Sequence, residues 1–176
     1  TFAGLISEEV LRLAIIEEPG FVPMQIQDLE EVLRIEIDSF EDPWNREYFV
    51  HEVLENRHSR CFCLRNPGQM VLGFACTWVV GKELLIHNFA IRRDRRGKGL
   101  GSRLLESVLD FGLGAGCRVA QLHVRPSNRP AVGLYRRAGF RTVGIRREYY
   151  GVGQEDAWVL EKPLRRSTEK GGEYPS

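Results

Sequence analysis

Apolar and polar positions change period along the chain, and each change predicts an element. Ser7 is a candidate helix N-cap, with Glu8 and Glu9 at the positive end of the helix dipole. The apolar run Val10, Leu11, Leu13, Ala14, Ile15 and Ile16 follows, and Pro19-Gly20 stops it, so residues 1–20 read as a separable, helical extension. A strand is predicted over 21–26. Asp28 then opens an amphipathic helix carrying Leu29, Val32, Leu33, Ile35, Ile37 and Phe40 on its apolar side. Pro43 and Trp44 interrupt it, and a second helix is expected over 45–55. Strands are predicted over 60–65, 70–80 and 82–91, the first pair turned by Asn66-Pro67-Gly68 and the second by Gly81. Leu104, Leu105, Val108, Leu109 and Phe111 form the buried stripe of a helix over 101–113. A strand over 119–125, a helix ending near Gly139, and strands over 140–147 and 157–164 complete the pattern.

The order is strand, two helices, three strands, helix, strand, helix and two strands. It predicts an α/β fold, antiparallel in its first half, with a parallel pairing where a helix crosses over. Residues 21–164 form one domain on this reading, and the polar, glycine-containing stretch 165–176 is expected to be a disordered tail.

Composition narrows the function classes. A chain of 176 residues with 43% hydrophobic and 28% charged residues is that of an ordinary globular domain. A net charge of +1 argues against global attraction to nucleic acid or membrane. Cys61, Cys63, Cys76 and Cys117 form no Cys-x-x-Cys pair, and no histidines stand at zinc-ligand spacing, so no metal is expected. Without a membrane-length apolar run or a signal-peptide pattern, the expected location is cytoplasmic.

Positive charge is clustered locally, most densely in Arg92 to Lys98, where Gly97, Gly99 and Gly101 alternate between a strand and a helix. Glycines there let backbone N–H groups approach a ligand, and the first N–H groups of a helix lack internal partners. The physical target is a phosphate or pyrophosphate. The third glycine comes one residue early for a dinucleotide fingerprint, and no Lys-Ser/Thr pair follows as a P-loop requires. A glycine-rich turn with solvated arginines stays open on this pattern alone.

Arg96-Gly97-Lys98-Gly99-Leu100-Gly101 resembles the Arg/Gln-x-x-Gly-x-Gly/Ala signature of the GNAT family of N-acetyltransferases. The resemblance spans roughly residues 21–164 and implies the GNAT fold: a mixed, mostly antiparallel sheet flanked by helices, with a splayed parallel strand pair at the cofactor site. It implies acetyl-coenzyme A as cosubstrate, held by Arg96, Gly97, Lys98, Gly99, Leu100, Gly101 and Ser102. Backbone groups of Phe89, Ala90 and Ile91 would serve the pantetheine and acetyl units.

The segments Leu122-His123-Val124 and Asn128, then Tyr135 before Ala138-Gly139-Phe140, resemble the second cofactor half of that family. There Asn128 would contact coenzyme A, although it is also a reasonable helix N-cap. Tyr135 would sit beside the thiol as general acid, with core packing as its plainer role. The subfamily resembled is that of the bacterial ribosomal-protein-alanine N-acetyltransferases, which carry glutamate as general base where this chain has His123. Imidazole, with an ordinary pKa of about 6.5, is a competent base at neutral pH. Phe40 to Trp44 and Arg146 to Tyr150 resemble the acceptor loops, implying contacts from exposed Trp44, Tyr149 and Tyr150. Loop anchoring by aromatic packing is the alternative. The expected acceptor is the N-terminal α-amine of a protein, a small-subunit ribosomal protein beginning with alanine, with the enzyme a monomer or weak homodimer. A lysine or small-amine acetyltransferase, or a non-catalytic coenzyme A-binding subunit, stays open.

Overall fold

The computed structural model describes residues 18–149 and 155–165, so most of the expected N-terminal extension, nearly all of the tail and Tyr150 lie outside the described residues. The elements are β1 (Gly20–Pro23), α1 (Leu29–Ile37), α2 (Arg46–Leu54), β2 (Ser59–Arg65), β3 (Val71–Val80), β4 (Glu83–Ile91), α3 (Leu100–Gly114), β5 (Val119–Val124), α4 (Arg129–Arg137), β6 (Arg141–Arg146) and β7 (Ala157–Pro163). Seven strands form one sheet in the order β1-β2-β3-β4-β5-β7-β6. Every neighbouring pair is antiparallel except β4 and β5.

Helices cover both faces. On one, Leu104, Leu105 and Val108 of α3 and Val132 and Tyr135 of α4 pack on Leu84, Ile86, Ala120, Leu122 and Val124. On the other, Leu29, Val32 and Ile35 of α1 and Phe49 of α2 pack on Cys63, Phe74, Cys76 and Ala90. All four cysteines are buried free thiols, as their apolar surroundings suggest.

Several boundaries depart from expectation for local reasons. The first strand ends at Pro23, and a 3-10 turn over Ile26–Asp28 leads into α1. Asp28 precedes α1 without a side-chain cap; its buried carboxylate instead accepts the Gln25 N–H at 2.8 Å and a hydrogen bond from Arg65. Ile37 and Phe40, assigned to the apolar side of the helix, are exposed, because the helix ends at Ile37 and the chain turns away from the sheet. Glu36 is buried in their stead.

Candidate active site

The parallel pairing of β4 with β5 runs from Glu83↔Val119 to Ile86↔Leu122 and stops there. Beyond it β4 stays in register with β3, through Cys76↔Asn88, Ala75↔Phe89 and Phe74↔Ala90, but has no partner in β5. The sheet therefore forks in its interior. Backbone groups along one edge of Asn88–Ile91 are left for an extended ligand to satisfy, since an unpaired buried backbone group is costly. β5 is paired with β7 over its whole length, from Val119↔Pro163 to Val124↔Trp158, so beyond the fork it is held on that side alone.

The glycine segment closes the cofactor end of this fork. Gly97 and Gly99 have φ values of +73° and +79°, with open space where a Cβ would project. Gly99 caps α3, so the free N–H groups of Leu100, Gly101 and Ser102 lead the helix at its positive end. A pyrophosphate fits such a cradle. The Arg96 side chain braces this loop. Its Nε donates to the Ile91 carbonyl at 2.9 Å and a terminal nitrogen to Ser39 Oγ at 2.8 Å, tying this loop to the end of α1. Ser102 also borders a cavity of about 670 Å³ between α3 and α4, lined by Leu109, Leu134 and Arg137 and lying away from His123.

The two proposed catalytic side chains stand on opposite faces of the sheet. Strand alternation sends Ala120, Leu122 and Val124 towards α3 and α4, and so His123 towards the α1–α2 face. Tyr135 belongs to the α3–α4 cluster, with its ring 6.3 Å from Phe89 and 5.8 Å from Phe140. His123 Nε2 is buried and lacks a hydrogen-bond partner. Burial lowers the imidazole's proton affinity, and the nearby Arg146 and His87 lower it further. The ring is therefore neutral at neutral pH, as a base must be.

One aromatic ring lies against His123, and a second aromatic group gathers on α2. Tyr149, 45% exposed in the turn after β6, meets His123 edge-on at 4.9 Å, with the Arg146 guanidinium 5.9 Å from its ring centre. Trp44 is half-buried rather than exposed, because it packs on Tyr48 at 4.4 Å and Phe49 at 5.4 Å. Beneath it, Glu36 accepts the Trp44 N–H at 2.8 Å and an Asn88 amide hydrogen at 2.9 Å. Burial raises the Glu36 carboxyl's pKa despite both bonds. Asn128 caps α4 by accepting the Ala131 N–H at 3.2 Å, which meets its structural expectation. Its neighbour Ser127 gives both its N–H and its hydroxyl to Glu155, at 2.6 and 2.5 Å, fastening the asparagine turn to the β6–β7 connection. Sequence reasoning missed Glu36, Tyr48, Glu52, Trp78 and His87. Only the polar pair His87-Asn88, interrupting the apolar strand β4, carried a signal.

The family model described as the acetyltransferase (GNAT) family matches residues 29–140. This chain belongs to that family. It is 36% identical over 137 residues to a putative [ribosomal protein bS18]-alanine N-acetyltransferase of Bacillus subtilis, covering 78% of this chain and 90% of that one. It is 34% identical over 143 residues to the [ribosomal protein bS18]-alanine N-acetyltransferase of Escherichia coli, covering 80% and 95%. The crystal structure of the Escherichia coli ribosomal-protein-S18-alanine N-acetyltransferase superposes with a TM-score of 0.76 at 30% identity, covering 86% of this chain and 97% of that one. The forked sheet and the glycine cradle are thus set in a GNAT domain. Among the described residues no cluster of three metal-ligating side chains occurs, and no helix is long and apolar enough to cross a membrane.

Proposed function

We propose that this protein transfers the acetyl group of acetyl-coenzyme A to the α-amine of a protein beginning with alanine, the acceptor being a ribosomal protein of the bS18 kind. The observation that carries this reading is the neutral, partnerless His123 beside Tyr149 at the open end of the fork, in a chain 34–36% identical to enzymes named for that acceptor. The cosubstrate supplies an activated thioester, held by Phe89, Ala90 and Ile91 through their backbone, by residues 96–102 at its pyrophosphate, and by Asn128.

The protein's own residues do the rest. An α-ammonium, with a pKa near 7.8, must lose a proton before it can attack. It enters from the α1–α2 face, where Trp44, Tyr149 and Tyr150 contact the acceptor backbone and His123 takes the proton. From the opposite face Tyr135 gives a proton to the departing sulfur and is made good by the second proton, which the nitrogen sheds as the amide forms. A backbone N–H at the open edge of β4, near Ile91, holds the developing oxyanion.

Thiol release from acetyl-coenzyme A across a panel of peptides tests this. A peptide starting Ala-Arg is expected to be acetylated and an N-blocked peptide with an internal lysine to be inert. Equal turnover on the lysine peptide would overturn the α-amine assignment, and absence of turnover on any peptide would favour a non-catalytic coenzyme A-binding role.

A further inference from the structure

The fork brings two imidazoles to its apex, and the mechanism above uses one. Ile86↔Leu122 is the last pair of the β4–β5 ladder, so the next residue on each strand is a histidine, His87 and His123. Partners on β3 pass from Cys76↔Asn88 to Thr77↔Ile86, so His87 is the extra residue of a bulge with no register partner on either side. Its side chain lies on the α1–α2 face: the ring meets Trp78 at 4.1 Å, tilted by 50°, and Trp78 Nε1 donates to Glu52 of α2 at 2.7 Å. His123 faces the same way. Both rings thus start from the last paired rung on one face, and His87 is among the groups that act electrostatically on His123, so a water can bridge the two as the strands part.

We propose that His87 is the proton outlet of the acceptor site: the proton that His123 takes from the acceptor amine passes to His87, directly or through one water, and leaves from its solvent-open edge. The step breaks one N–H bond on His123 and makes one on His87; His123 returns to its neutral form and the proton ends in bulk water.

The surroundings give that transfer a direction. His123 is half-buried under Tyr149, and the Arg146 charge opposes its protonated form. His87 is exposed as a residue, although the Trp78 cover on one ring face lowers its proton affinity. The Glu52 carboxylate acts the other way on His87, favouring its cation. Glu52 is itself held by Trp78 and by the Asn56 amide at 3.2 and 3.3 Å, so its charge is fixed in place. Other titratable groups on this side include Tyr48 of α2, near Glu52, Tyr149 and Cys76; Cys76 itself, a fully buried thiol with a raised pKa; Cys61 beside it; and Glu36, bonded to Asn88. Arg146 thus stands on the His123 side and Glu52 on the His87 side. These two charges bias the proton towards His87.

This inference rests on His123 being the base, and the test separates the two. His87→Ala, His87→Phe and His123→Ala are compared with wild type using an Ala-Arg peptide, after coenzyme A binding has established that each is folded. His87→Ala is expected to lower kcat about tenfold while leaving the acceptor KM within twofold. Added imidazole is expected to restore its kcat. His87→Phe keeps a ring against Trp78 and fills the space, so it should show the same loss without rescue. It carries the test if the alanine variant fails to bind coenzyme A. Unchanged kcat in both His87 variants, or a raised KM at constant kcat, would overturn the outlet. If His123→Ala keeps the wild-type pH profile, the base assignment fails first. If the acidic limb instead vanishes in His87→Ala, His87 is itself the base and no relay exists.

Discussion

At the scale of single residues, the site depends on charges placed where water is scarce. The Arg146 cation disfavours imidazolium at His123, and so keeps the base neutral to lower pH than a free imidazole. Removing that cation raises the proton affinity of His123, so the acidic limb of kcat should move to higher pH in Arg146→Gln. Arg146→Lys should leave it in place. A limb that does not move in Arg146→Gln would mean that His123 is not the titrating group. Glu36 presents the opposite sign. Burial raises its carboxyl pKa, so its ionised form costs stability above that pKa, and the cost fades as pH falls through it. Glu36→Gln keeps an acceptor for the Trp44 N–H and should equal or exceed wild type in neutral-pH denaturant stability, with the difference shrinking in acid. Glu36→Ala leaves the Trp44 N–H and the Asn88 amide unpaired and should cost on the order of 2–4 kcal/mol.

At the scale of elements, the loop from β4 to α3 shows what spacing made legible and what it did not. Gly97, Gly99 and Gly101 looked alike as alternating glycines. In the structure, two are needed for their backbone, and the third has room for a methyl group. At Gly99, the left-handed conformation would cost a side chain about 1–2 kcal/mol and would point its Cβ into the cradle. At Gly101, a Cβ would meet Leu134 at 3.5 Å and Ile91 at 3.8 Å, ordinary packing distances. Gly99→Ala should therefore raise the KM for acetyl-coenzyme A at least tenfold, whereas Gly101→Ala should change it less than threefold. Steady-state kinetics with the acceptor held saturating would check both. The elements themselves were legible because periodicity reports burial: the described helices and strands lie within two residues of their expected bounds, except that the first strand and the first helix each end three residues early. Strand order was not legible. Nothing local in Arg141–Arg146 or Ala157–Pro163 says that β7 inserts between β5 and β6, yet that insertion is what holds His123 and Val124 beyond the fork. Trp44 and Ile37 were misjudged because burial depends on neighbours: rings of α2 cover Trp44, and Ile37 lies outside the buried stripe of Leu29, Val32, Ile35 and Glu36.

At the scale of the molecule, the sheet divides the core into two clusters with different duties. On the proposed function, the α3–α4 cluster would carry the cofactor side and the α1–α2 cluster the wall of the acceptor side. Phe49 is central to the second: it is fully buried, edge-on to Phe74 at 5.7 Å and 5.4 Å from Trp44. Truncating it should cost about 3–5 kcal/mol, by lost transfer energy and the cavity left behind. For a domain of this size that corresponds to a Tm lower by on the order of 10 °C. Because no α3 or α4 residue belongs to its cluster, the glycine cradle and Tyr135 should keep their geometry. Trp44 loses a packing partner and its loop loosens. Phe49→Ala, assayed well below its Tm, is thus expected to raise the KM for the Ala-Arg peptide several-fold while the KM for acetyl-coenzyme A stays within twofold. A parallel rise in both constants would show that the two faces act as one energetic unit, and that acceptor binding is not governed from α1 and α2 alone.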